Sequence, residues 1–159
     1  VSVHCQICGR AIKAKSGLIA HHGYRRPGQG WQTSSCFGAR WRPYEVASDA
    51  LPRAIERATT FRDNTEAQLA KLRANPPAEF DVSRRDAWGH VRQECKAPRP
   101  DGFDGYAKRP GSYKPQSYEG AFWKAVSAME QNIRNAEADI DFMQKRLAAW
   151  VPPIEAVPG

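Results

Sequence analysis

Apolar residues recur along the last quarter of the chain at the spacing of a single helix face. Phe122, Val126, Met129, Ile133, Ala136, Ile140, Met143, Leu147 and Trp150 step alternately by four and three. The pattern predicts one amphipathic helix that starts at Ser117, a natural cap, and ends at Pro152-Pro153, which cannot continue it. A helix of about 33 residues runs about 50 Å at 1.5 Å per residue, so it needs a partner along its length. A second, weaker pattern supplies one. Leu51, Ile55, Ala58, Leu69 and Leu72 recur at mixed three- and four-residue spacing, with Phe61 adding to the face. Ser48-Asp49 offers N-caps, Pro52 suits the first helical turn, and Asn75 before Pro76-Pro77 stops the helix near Ala74. Arg62 and Thr65 fall on seam positions, so this face is imperfect. Together the two patterns predict an antiparallel two-helix, coiled-coil-like hairpin. A homodimer through the longer helix is the other way to cover the stripe.

Between the helices lies an insert at 77–116 of two characters. Glu79 to Asp86 and Trp88 to Lys96 alternate enough to predict a short β-hairpin turning near Asp86 to Gly89. Pro98 to Pro115 holds four prolines and three glycines among Phe103, Tyr106 and Tyr113, and reads as a loop that orders against a partner. Ahead of the helices, Ile12 to Ile19 reads as a hairpin turning at Ser16-Gly17. The expected fold class is mainly α: a small module at 1–47, a helical hairpin with its insert at 48–151, and a tail at 152–159.

Charge changes this picture more than composition does. The net charge is +7, and residues 1–47 hold seven Lys/Arg against a single acid, Glu45. The positive field belongs to the small module and points to acidic partners. No apolar run approaches the roughly 20 residues of a bilayer span, and the start of the chain lacks the apolar region of a signal peptide. The expectation is a cytoplasmic protein with no membrane partner.

The same module carries the candidate chemistry. Cys5 and Cys8 form a Cys-x2-Cys pair, followed by His21-His22 and Cys36. Zn²⁺ takes four tetrahedral ligands from thiolate and imidazole, and a Cys-x2-Cys turn presents two sulfurs to one ion. Gly9, directly after the pair, suits the positive φ of such a turn. Adjacent residues on an extended segment point to opposite faces, so only one of His21 and His22 is expected to join Cys5, Cys8 and Cys36. Cys36 is expected at the start of a short helix from Phe37 to Trp41. His4 is the fallback ligand, and Cys95, far away in a charged stretch, reads as a free thiol. The order of paired cysteines, hairpin and ligand at a helix start is similar to a treble-clef zinc finger.

Around the ligands, Tyr24-Arg25-Arg26-Pro27-Gly28-Gln29-Gly30-Trp31 forms a basic, aromatic, glycine-rich run. Arg and Lys neutralise phosphate and aromatic rings stack on unpaired bases. Lys13, Lys15, Tyr24, Arg25, Arg26, Trp31, Arg40 and Arg42 are the candidate nucleic-acid contacts. The runs Cys-Gln-Ile-Cys-Gly-Arg-Ala-Ile-Lys-Ala-Lys, Ile-Ala-His-His-Gly-Tyr-Arg-Arg-Pro-Gly and Trp-Gln-Thr-Ser-Ser-Cys resemble small uncharacterised zinc-finger-like proteins encoded by bacteriophages and prophages. The resemblance covers about residues 4–48. It implies a non-enzymatic accessory protein acting on host nucleic-acid or defence complexes in a bacterial cytoplasm. Cys-x2-Cys followed by Ala-His-His also looks like the opening of an HNH endonuclease, which would make His21 a metal ligand and His22 the general base. No second Cys-x2-Cys follows, and neither His nor Asn lies between Gly23 and Asp63. The sequence therefore reads as a zinc-binding module that contacts nucleic acid or a nucleoprotein complex. The alternative is an inhibitor that docks on a host protein by its helices or its 98–115 loop.

Overall fold

Strand β1 (Ser2–His4) pairs antiparallel with β2 (Ala11–Lys15), and β2 pairs with β3 (Leu18–Ile19). Ser16 and Gly17, between β2 and β3, take φ of 53° and 76°, the backbone that a two-residue hairpin turn requires. These assignments come from a computed structural model that describes residues 2–32, 34–85, 88 and 90–153. The first hairpin therefore stands as its turn chemistry predicts. The turn ahead of it, residues 5–10, is closed by the Gly9 amide donating to the Cys5 carbonyl and the Cys5 amide donating to Arg10, and Gly9 takes φ of 70°.

The segment after Cys36 departs from expectation. Ala39 donates its amide to Cys36 and Trp41 to Gly38, which are bonds of tight turns, and Arg40 takes φ of 67°. A right-handed helix cannot pass through that backbone, so no helix spans Phe37 to Trp41. The chain instead folds back onto β3, with Ile19 donating to Trp41 and Arg40 donating to Ile19.

Helix α1 (Ala50–Ala74) starts beyond Ser48-Asp49 and ends before Pro76, as its caps and breakers predict. The Ala50 amide, however, donates to the side-chain oxygen of Gln6 at 2.8 Å. Gln6 is fully buried, and its amide nitrogen donates to the Arg42 carbonyl and to Asp49. One of the two residues between the first two cysteines thus caps the helix. Strands β4 (Glu79–Arg85) and β5 (Val91–Pro98) form the second hairpin in antiparallel register. Of its expected turn, Asp86, Ala87 and Gly89 lie outside the described residues. Helix α2 (Tyr118–Ala149) is capped by Ser117, whose hydroxyl accepts from the Gly120 amide at 3.1 Å. With 25 and 32 residues of 159, the helices hold less than half of the chain. The expectation of a mainly α fold gives way to two helices combined with two small antiparallel sheets.

Contacts group the chain into two units. One holds residues 1–61 and 135–159, the other residues 62–134. In the first, Cys5, Ile7, Cys8, Ile19 and Cys36 share one core with Ala50, Leu51 and Ala54 of α1 and Met143 of α2. In the second, Phe122, Trp123 and Val126 of α2 pack with Val82, Ala97 and Tyr118, and Leu69 and Leu72 of α1 join them. Each unit thus holds one end of α1 together with the opposite end of α2. The α2 stripe is inward as read, whereas the α1 face differs: Thr65 is 6% exposed and Phe61 is 51% exposed. The 98–115 loop orders against its own unit, with the Phe103 ring 4.9 Å from both Tyr118 and Phe122. Among the described residues, no helix is long and apolar enough to cross a membrane.

Candidate metal centre

Extended backbone brings the distant ligands together. Gly23 bridges Ser35, the Cys36 amide donates to the His22 carbonyl at 2.9 Å, and the Tyr24 amide donates to Ser34. This ladder sets His22 and Cys36 side by side, opposite the turn that carries Cys5 and Cys8. One ligand atom each from Cys5, Cys8, His22 and Cys36 lies within 4.8 Å of every other. The sulfurs of Cys5 and Cys36 are 3.8 Å apart, and Cys8 Sγ is 3.4 Å from His22 Nε2. A tetrahedral ion bound about 2.3 Å from sulfur and about 2.0 Å from nitrogen has S···S edges of about 3.8 Å and S···N edges of about 3.5 Å. Those two edges match a tetrahedral ion, the four residues could together hold a metal, and the cysteines form no disulfide.

The choice between the two histidines follows from the alternation of the ladder. His22 Nδ1 donates to the Ala20 carbonyl at 2.9 Å, which leaves Nε2 as the lone-pair nitrogen facing Cys8. His21 points away, exposed and hydrogen-bonded to the Ser35 hydroxyl at 3.1 Å. The structure thus removes His21 from the candidate ligands. His4, the fallback, is turned to Glu45 instead. The HNH likeness assigned the two imidazoles the other way round, with His21 on the metal and His22 as the general base. Cys95 lies in the second unit, and its thiol donates to Val82 at 3.7 Å.

Three thiols in contact cannot all ionise without a cation. The Cys8 thiol is pulled far below the ordinary range, chiefly by its hydrogen bond with Cys36 and then by that with Cys5. Cys36 is pushed far above it, first by its hydrogen bond with Cys5. Without a cation, the close sulfurs oppose one another's ionisation. A divalent cation would replace the shared protons with coordinate bonds.

Residues beyond the ligands complete the centre. A Cβ on Gly38 would stand 2.3 Å from Cys5 Sγ, so the chain passes the cluster where only glycine fits. Arg146 of α2 donates to the carbonyls of Gln6 and Cys5, and its guanidinium lies 3.9 Å from the centroid of the Tyr44 ring. A glycine two positions after a candidate ligand is a signal that sequence reading could have used. Arg146 leaves no such trace, being 140 residues from the turn it supports.

The candidate basic contacts separate into two groups. Arg26 donates through Nε and Nη2 to both oxygens of Asp139 at 2.8 and 2.9 Å, and the Tyr24 hydroxyl donates to Asp139 at 2.6 Å. Burial and the Asp139 hydrogen bond push the Tyr24 hydroxyl well above the usual phenol range. These two side chains tie the 24–32 loop to α2. The Asp139 side chain is 17% exposed. Arg42 pairs with Asp49 at 2.8 Å. Lys13 and Lys15 occupy the exposed alternation of β2, and Arg25, Arg40 and Trp31 are exposed, Trp31 at 70%. No protein-family profile matches the chain, and neither a curated protein nor a solved structure matches it.

Proposed function

We propose that this chain is a zinc-stabilised binding module that presents a basic, aromatic surface to nucleic acid. The observation that carries the reading is the cluster of buried Cys5, Cys8 and Cys36 with half-buried His22, whose ligand atoms all lie within 4.8 Å of one another. Three thiolates and an imidazole favour Zn²⁺ over harder ions. Four protein ligands close the coordination sphere, and closed sites hold the fold instead of activating water. His22 is spent as a ligand and His21 stands outside the cluster, so hydrolysis of the HNH kind is not expected.

The surface side of the proposal rests on Lys13, Lys15, Arg25 and Arg40 with Trp31. Arg26, Tyr24 and Arg42 are committed within the chain and support this surface instead of forming it. The bacteriophage accessory role implied by the sequence resemblance belongs to the same proposal, with a host nucleoprotein complex as the setting. Binding to labelled single- and double-stranded oligonucleotides across a salt series tests it. Affinity should fall steeply with salt, and Arg25→Ala with Arg40→Ala should flatten the slope while zinc content stays at one per chain. Salt-insensitive binding, or none, would move the reading to a protein-docking module.

A further inference from the structure

A cavity of about 650 Å³ opens beside Cys36, walled by Ile7, Phe37, Trp41, Ala54, Arg57 and Met143. Its size falls in the range of roughly 300–1,000 Å³ typical of small-molecule sites. Arg53 and Arg57 stand one turn apart on the exposed side of α1. The Arg53 guanidinium lies 5.4 Å from the centroid of the Trp41 ring, and that of Arg57 lies 5.5 Å from the centroid of Phe37. Neither arginine pairs with a carboxylate among the described residues. The acid on the wall, Asp139, is already matched by Arg26 and Tyr24. Two unmatched cations therefore flank a cavity whose walls include two aromatic rings. Ser34 and Ser35 line the same cavity and carry the donors and acceptors that a base edge needs.

We infer that this cavity takes one unpaired nucleobase of a single-stranded nucleic acid, its ring against Phe37 and Trp41 and the flanking phosphates on Arg53 and Arg57. The inference rests on the nucleic-acid reading above and narrows it to single strands. A base within a duplex is stacked on both faces and cannot enter, whereas an unpaired base offers its π-face to an aromatic wall. An acidic peptide would satisfy the arginines but would leave the ring-lined cavity without a matching group.

The test uses the full chain with zinc bound and a short oligothymidylate, read by fluorescence anisotropy. Arg53→Ala with Arg57→Ala should weaken binding tenfold or more at low salt, and should lower the salt slope by about 1.4, at roughly 0.7 per phosphate on a single strand. Zinc content and melting temperature should not change, because both side chains are exposed. Replacing the thymines by abasic sites should weaken the wild-type complex by roughly tenfold, the share that base stacking contributes. Phe37→Leu keeps an apolar wall but should remove most of that difference between the two strands.

Unchanged affinity in both the arginine variant and the abasic strand, with the wild type still binding, would overturn the cavity and leave the nucleic-acid reading standing. Absence of any strand binding would remove both. Duplex bound as tightly as single strand would overturn the inference. So would a polyglutamate peptide that competes with the same dependence on Arg53 and Arg57, since the site would then be one for an acidic protein.

Discussion

Gly38 shows how little room the cluster leaves at the level of single residues. Gly38→Ala would drive a methyl into Cys5 Sγ and should lower metal affinity by about 10- to 100-fold, comparable to the loss of an outer-shell support. Competition with a chromophoric chelator measures it, and unchanged affinity would mean that Cys5 is not a ligand. Cys8→Ser should abolish stoichiometric zinc. Cys95→Ser should cost less than about 1 kcal/mol, since the thiol makes one weak hydrogen bond. Arg26 is the residue whose role changed most between sequence and fold. Asp139→Asn or Arg26→Ala should lower stability by about 2 kcal/mol, because each leaves a largely buried partner unmatched. Thermal melting of each variant measures the loss, and a melting temperature equal to the wild type would show that the pair does not hold the loop to α2.

Elements in this chain are closed by residues that lie outside them. The first amide of α1 is satisfied by Gln6, two strands away in sequence, and Gln6 also holds the Arg42 carbonyl. Gln6→Ala should therefore cost about 2–3 kcal/mol by denaturant titration with zinc present, since it orphans more than one buried group. A loss as small as that of an exposed substitution would show that the cap is not needed. In α2 the decisive position is Phe122, fully buried and in edge contact with Phe103 and Trp123. Phe122→Ala should cost about 3–5 kcal/mol. The mid-part of α1 carries no comparable weight, because its inward positions are Arg62 and Thr65 and its Phe61 faces outward.

Two cores of different kinds lie among the described residues. One contains the candidate ligands Cys5, Cys8 and Cys36 among Ile7, Ile19, Leu51 and Met143. The other is built from Phe122, Trp123, Val126 and their neighbours and includes no candidate ligand. A metal held by these cysteines would contribute folding free energy directly to the first core, and its removal would take that energy away. With a strong chelator, hydrogen exchange should accelerate at Ile7, Ile19 and Leu51, while the amides from Phe122 to Val126 keep their protection. Equal loss in both regions would show that the chain opens as one cooperative unit.

Local rules were legible in the sequence wherever one short segment decides the outcome. The ends of α1 and α2 follow from caps and prolines, the first hairpin from Ser16-Gly17, and the inward face of α2 from its own periodicity. The cysteine set could be read because two candidate ligands share one turn and thiol chemistry is selective. Pairings across long separations were not legible. Arg26 looks like any surface cation until Asp139 is brought to it from 113 residues away, and Cys36 looks like a helix start until positive φ at Arg40 turns the chain back. The choice of His22 over His21 belongs to the same class. Alternation says that only one can face the ion, but the register of residues 22–24 against 34–36 decides which, and that register exists only in the folded chain.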